Sequence, residues 1–142
     1  MKQASNQTQT RTITQTVFLP AKPAEIYQAF LQAKTHAAFT GAGATCDARV
    51  GGEFTAYDGY IWGTILALDE NRKIVQEWQT TEWPEGAPPS IAEFRLSEID
   101  GGTELKMVQR EVPAEQTASY QQGWIDYYWE PLKTHFARSR SK

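Results

Sequence analysis

The side chains able to carry chemistry are few and scattered. His36, Cys46 and His135 are the only imidazole or thiol groups. None stands in a paired spacing such as C-x-x-C or H-x-x-x-H that would gather ligands around one metal. Surface histidines and a packed thiol account for them, so no metal and no cofactor are expected. Cys46 sits in the stretch T-C-D-A and would be a nucleophile only if a histidine were brought to it in space, so no catalytic thiol is expected. Carboxylates offer more. Glu53, Asp58, Glu77, Glu93 and Glu111 lie in or beside strand-like stretches, as do Arg49, Arg95 and Arg110. A carboxylate turned into an apolar cavity has a raised pKa and can serve as acid or base. Alternation turns most of them away. With Phe94 and Leu96 inward, Glu93 and Arg95 fall on an outer, solvated face, and with Gln76 and Trp78 inward, Glu77 does too. No catalytic residue is assigned, and the chain reads as a non-enzyme. Gln76 and Gln109 are turned inward by the same alternation, and buried amides need partners, of which a ligand can be one.

Glycine-rich pieces add no phosphate site, because Gly41-x-Gly43 and Gly51-Gly52 fit neither G-x-G-x-x-G nor G-x-x-x-x-G-K-[ST]. The unusual feature is aromatic. Rings make up 12% of the chain, with five tryptophans. Tyr120, Trp124, Tyr128, Leu132 and Phe136 recur every fourth residue with Tyr127 beside them, which sets large side chains on one side of a helix over 117–138. Such a helix needs a wide apolar surface to lie on.

The preceding strands supply it. Alternation marks strand one over 11–19, ended by Pro20. Pro23 and Glu25 open a helix over 23–32, and a shorter turn covers 34–39. Strands follow at 45–50, 53–57, 60–68, 73–81, 90–99 and 103–110, and short turns at Gly51-Gly52, Asp58-Gly59, 69–71 and 100–102 join several of them, pairing those antiparallel. Residues 83–89, with three prolines, form a loop. Segregated helices and strands give an α+β fold. Its inward strand residues are Phe54, Ala56, Ile61, Gly63, Ile65, Trp78, Phe94, Leu96, Leu105 and Met107. Phe30, Phe39 and the helical stripe face them. Pro131 falls inside the long helix, where it clashes with the carbonyl of Tyr127 and removes that carbonyl's N–H partner.

Length and composition bound the rest. A chain of 142 residues suits one domain over 11–138, with a loose tail at 1–10 and a frayed basic end at 139–142. One cysteine excludes an internal disulfide, and no apolar run approaches the roughly 18–20 residues of a membrane span. The polar N-terminus lacks the apolar centre of a signal peptide, so the expected place is the cytoplasm. A net charge of -3 gives no pull toward nucleic acid or anionic lipid, and neither is expected as a partner.

Several words in this order resemble a known family. They are Ala21 to Tyr27 (A-K-P-A-E-I-Y), Gly51-Gly52-Glu53-Phe54, Asp58-Gly59 with Gly63, and Lys73-Ile74-Val75 followed by Trp78. Gly102-Thr103-Glu104-Leu105 and Gly123-Trp124 with Tyr128 and Pro131-Leu132 complete them. Over about 11–138 the chain resembles the START-related SRPBCC superfamily. Within it, the resemblance is to proteins similar to the C-terminal domain of the activator of the heat-shock-protein-90 ATPase. This implies a helix-grip (START/Bet v 1-like) fold: a curved antiparallel sheet of six to seven strands, two short helices after the first strand, and a long C-terminal helix across the sheet. Some superfamily members bind lipids, hormones or polyketides between sheet and helix, and others are cyclases or hydrolases. The eukaryotic activator implies a chaperone partner and a role in the stress response, and there the domain works beside a separate N-terminal one.

The expected function is therefore non-enzymatic binding of a small hydrophobic or aromatic molecule between sheet and C-terminal helix. Its candidate walls are Phe54, Ile61, Ile65, Trp78, Phe94 and Met107 on strands, with Phe39, Tyr120, Trp124 and Tyr128 on helices. Gln76, Gln109 and the polar tips of Tyr120, Tyr128 and Trp124 would orient the ligand. A sealed void of roughly 300 Å³ would cost ~7 kcal/mol at ~24 cal/mol per Å³, comparable with a domain's whole stability. The alternative is a protein-binding module touching a chaperone or another protein through Trp62, Trp83 or the loop 82–89, and on either reading the chain is a monomer or homodimer. A third reading, an enzyme with an acid–base site in the cavity, needs an inward carboxylate.

Overall fold

The computed structural model describes residues 9–140. Strand β1 is Thr10–Leu19, with Ile13 and Leu19 buried and Thr12, Thr14, Thr16 and Phe18 exposed. Helix α1, Pro23–Leu31, starts on a proline whose missing N–H is no loss there, and the Glu25 carboxylate accepts the Lys22 backbone N–H at 2.9 Å. Helix α2, Ala33–Thr40, stops at Gly41. Strands β2 (Thr45–Cys46), β3 (Glu53–Ala56), β4 (Ile61–Asp69), β5 (Lys73–Thr80), β6 (Ser90–Ile99) and β7 (Gly102–Pro113) then form one sheet. Its seven strands run in the order β1-β7-β6-β5-β4-β3-β2, every neighbour antiparallel. The C-terminal helix covers the inner face. This is the helix-grip fold.

All ten inward strand residues named from alternation are buried. Elsewhere the boundaries differ for physical reasons. The strand expected over 45–50 keeps only its first two residues. The next stretch is taken up by tight turns, in which the Arg49 N–H donates to the Asp47 carbonyl at 2.7 Å and the Gly52 N–H to the Arg49 carbonyl at 2.8 Å. Tyr57 leaves β3 because it and Asp58 adopt left-handed φ angles of 50° and 59°. The last strand continues to Pro113, since Thr10 and Arg11 pair with Pro113 and Val112 across a bulge. Thr10 thus belongs to the sheet, and residues 1–8 of the expected tail lie outside the described residues. The last helix continues to Arg140, so of the expected frayed end only residues 141 and 142 lie outside them.

The C-terminal helix is α3 (Thr117–Trp124), a π-helical turn (Ile125–Trp129) and α4 (Glu130–Arg140). In a regular helix of 3.6 residues per turn, a stripe with a four-residue repeat drifts by about 160° from Tyr120 to Phe136. The π turn absorbs one residue, its Glu130 N–H reaching back to the Ile125 carbonyl, and cuts the drift to roughly 60°. All five stripe residues are accordingly buried. Helix α4 runs through Pro131, and the Tyr127 carbonyl, which Pro131 cannot bond, is not left bare. The Tyr57 hydroxyl donates to it at 2.5 Å.

Gly63 is required by the packing of the sheet itself. A Cβ there would lie 1.9 Å from the Glu77 carbonyl oxygen and 2.9 Å from the Phe54 ring, so glycine lets β5 approach β4 closely. Gly63→Ala is expected to cost about 3 kcal/mol, the upper part of the range for overpacking, measured as a lower midpoint in chemical denaturation.

Candidate binding groove

A groove of about 490 Å³ lies between the first half of the C-terminal helix and one end of the sheet. Ile61 opens β4 and Trp78 stands near the end of β5, and both put buried side chains at its base. Tyr120, Trp124 and Tyr128 come down from the helix, and Gly123 leaves a gap between them. The rim is formed by Tyr57 and Tyr60 on either side of the β3–β4 turn, by Glu82 after β5, and by Ser119 and Tyr127 on the helix. Glu82, Ser119 and Tyr127 are exposed. The groove is therefore open to solvent, and the energetic penalty of a sealed void does not apply.

The β3–β4 turn is held from outside. Asp58 Oδ1 accepts the Gly43 N–H at 2.8 Å, and the Asp58 N–H donates to the Gly43 carbonyl at 2.9 Å. These bonds keep Tyr57 and Asp58 in the left-handed region that non-glycine residues rarely adopt. The result places the Tyr57 ring 5.7 Å from that of Tyr127 and 6.0 Å from that of Tyr128.

Of the twelve residues expected to form the site, Ile61, Trp78, Tyr120, Trp124 and Tyr128 line this groove. Phe39, Phe54, Ile65, Gln76, Phe94, Met107 and Gln109 do not; they are buried in the packed core behind it. Helices α1 and α2 fill that half of the space between sheet and helix. Phe30, itself only partly buried, sits 4.7 Å from Phe94 and stacks on Tyr128 at 5.9 Å. Tyr57, Tyr60, Glu82, Ser119, Gly123 and Tyr127 were missed, because loop and outer-face residues carry no inward pattern. The one available signal was the pair of tyrosines flanking the Asp58-Gly59 turn.

The polar tips assigned to a ligand are mostly committed inside the protein. Gln109 Oε1 accepts the Trp124 indole N–H at 2.8 Å, and its Nε2 donates to Ser90 Oγ at 3.0 Å. The Ser90 hydroxyl donates to the Trp78 carbonyl at 2.6 Å. The Tyr120 hydroxyl donates to Gln116 Oε1 at 2.6 Å and lies 2.7 Å from Thr80 Oγ1. The Tyr60 hydroxyl donates to Glu82 Oε1 at 3.0 Å. Burial pushes Tyr57 and Tyr120 up to about 12 and raises Tyr128 further, so these phenols are neutral at physiological pH.

Other side chains lie elsewhere than expected. Glu93 faces outward but is not solvated. It is only 8% exposed, bridged to the Arg95 guanidinium and 3.5 Å from that of Arg110. The bond from Arg95 holds its carboxyl below the usual range. Trp83 is half-buried, with its indole N–H on the Pro88 carbonyl at 2.9 Å and its ring stacked on Tyr120 at 5.8 Å. Trp62 does stand exposed, on the outer face of β4. His36 is no surface histidine. It is 7% exposed among Phe30, Phe39 and Tyr128, with Nε2 3.0 Å from the Tyr128 hydroxyl and Nδ1 without a partner. Among the described residues no group of three or more His, Cys, Asp or Glu is placed to hold a metal, and no helix is long and apolar enough to cross a membrane.

A curved antiparallel sheet gripping a long helix, with an aromatic groove between them, defines a helix-grip protein of the START/Bet v 1 type. The family model described as "Activator of Hsp90 ATPase homolog 1-like protein" matches residues 20–137, and the chain belongs to that family. A human relative, "Activator of 90 kDa heat shock protein ATPase homolog 1", is 39% identical over 116 residues, which is 80% of this chain and 33% of the relative. The chain thus spans about a third of the length of that relative. Among solved structures, an HSP90 activator from Plasmodium falciparum superposes with a TM-score of 0.79 at 23% identity, covering 90% of this chain and 96% of the other. CalU16 from Micromonospora echinospora gives 0.69 at 25% identity, covering 91% and 80%.

Burial of the imidazole lowers the His36 pKa to about 4, against an ordinary value near 6.5. The unfolded chain therefore binds the extra proton first. Stability from this site is fully present above about pH 6.5 and is lost as pH falls toward 4, at no more than about 1.4 kcal/mol per unit. Denaturation between pH 7 and 5 should show this slope, and His36→Gln should remove it.

Proposed function

We propose that the groove binds a small molecule with an apolar or aromatic body and does not transform it. The observation that carries this reading is the groove itself. At about 490 Å³ it falls within the ~300–1,000 Å³ of ligand sites. Its base is built from Trp78, Tyr120, Trp124 and Ile61, side chains with large apolar areas. The carboxylates weighed as acids or bases do not enter it. Glu82 reaches only the rim, and the Tyr57, Tyr60 and Tyr120 hydroxyls and the Trp124 N–H are bound to protein acceptors, an arrangement suited to holding a molecule rather than moving protons.

Gly123 provides a test that separates folding from binding. A Cβ there would meet only Tyr127 Cδ2, at 3.8 Å. Gly123→Leu therefore fills the groove while improving helix propensity by about 0.5–1 kcal/mol. A panel of aromatic compounds is expected to raise Tm and quench tryptophan fluorescence in the parent, with both responses lost in a Gly123→Leu protein of equal or higher Tm. A parent that answers to none of the panel would sink the reading.

The family match favours a second reading, contact with a heat-shock-protein-90 chaperone, since relatives bear the activator's name. Trp62, 46% exposed, and Leu66, 39% exposed, share the outer face of β4 and offer an apolar contact. Capture of the chaperone should then weaken at least tenfold in Trp62→Ala, in the manner of interface tryptophans. If the parent neither captures the chaperone nor alters its ATPase rate, this reading is wrong.

A further inference from the structure

We infer that the groove selects an organic cation, an ammonium or amidinium group attached to an aromatic or apolar body; this rests on the groove being a ligand site. Charge favours a cation. Among the described residues Glu82 is the only ionic side chain on the lining, and no lysine, arginine or histidine lines it. The phenols beside it stay neutral. Hydrogen bonding points the same way. The Tyr57 hydroxyl donates to the Tyr127 carbonyl, the Tyr60 hydroxyl to Glu82 and the Tyr120 hydroxyl to Gln116. The Trp124 N–H donates to Gln109. What the three hydroxyls still present to a guest are oxygen lone pairs, and an ionised carboxylate taking one hydroxyl keeps most of its acceptor capacity. The Ser119 and Tyr127 hydroxyls can accept as well as donate, which leaves the Trp78 indole N–H as the donor-only side chain on the lining among the described residues without a protein acceptor.

The walls favour a cation as well. Tyrosine and tryptophan rings carry negative π-faces that attract ammonium and guanidinium groups, more strongly where water is displaced. A site rich in such rings and acceptors, with an acid at the rim, rewards a guest that donates and carries positive charge. It offers an anion no charged partner. Glu82 is positioned by the Tyr60 hydroxyl at 3.0 Å, and its backbone carbonyl by Gln116 Nε2 at 2.8 Å. The carboxylate is thereby tied to the turn, and the Glu82 backbone to the start of the helix, that frame the groove.

Three probes of nearly equal size decide the matter: naphthylethylammonium, naphthylethanol and naphthylacetate. They are titrated against the parent and Glu82→Gln at pH 7 and low salt, with calorimetry as the readout. The cation is expected to bind about tenfold tighter than the alcohol, and the acetate weakest. In Glu82→Gln, the cation should lose about tenfold more affinity than the alcohol, so that the two bind about equally. Circular dichroism and Tm of the variant establish that it is folded. If the alcohol or the acetate binds as tightly as the cation, or if Glu82→Gln weakens cation and alcohol alike, the charge selection is overturned and the groove remains a ligand site. If none of the three binds, both readings fall.

Discussion

A four-residue repeat of bulky side chains does not fit a regular α-helix, and the C-terminal helix is shaped by how it resolves that mismatch. Left regular, the helix would carry Leu132 and Phe136 away from the sheet. The π turn at Ile125–Trp129 takes up the surplus residue, and the stripe from Tyr120 to Phe136 remains buried. The same turn brings Tyr127 to the rim of the groove and Tyr128 into the core. Pro131 lies just past it. Its missing N–H frees the Tyr127 carbonyl, and the Tyr57 hydroxyl uses that acceptor to bind the β3–β4 turn to the helix.

An aromatic-rich core also brings polar tips that must be satisfied once out of water. Here they are joined into short chains: Trp124 to Gln109 to Ser90 to the Trp78 carbonyl, and Trp129 to Gln15 across to β1. Each chain links the helix to a particular strand, so the bonds determine where the helix lies as well as closing the donor account. One consequence appears in the groove, where the Trp124 N–H is committed to Gln109 and the indole presents its π-face. His36 is the exception within this core, with one ring nitrogen bonded to Tyr128 and the other unpartnered.

Much of the fold was legible because it depends on local periodicity. Two-residue alternation named ten inward strand residues and all ten are buried, proline and glycine marked most turns, and Pro23 with Glu25 opened α1 where it stands. The boundaries that moved did so where a distant partner decided. Pro113 stays in the sheet because Thr10 pairs with it, and the stretch after Cys46 turns because the Gly51 N–H finds the Ile65 carbonyl at 2.8 Å.

The candidate site was legible only in part. By itself the sequence determined which faces of the strands and of the helix turn inward, and so included Ile61, Trp78, Tyr120, Trp124 and Tyr128. It also determined that Pro131 would free the carbonyl of Tyr127. Tertiary structure alone decided how the space between those faces is shared. Phe30, Phe39 and Phe94 fill one half, while the other half opens at the β3–β4 turn, where Tyr57, Tyr60 and Glu82 meet Tyr127. Periodicity reports the direction of a side chain relative to its own backbone. Whether the space ahead of it is filled depends on side chains tens of residues away, and on which hydrogen bonds those side chains have already made.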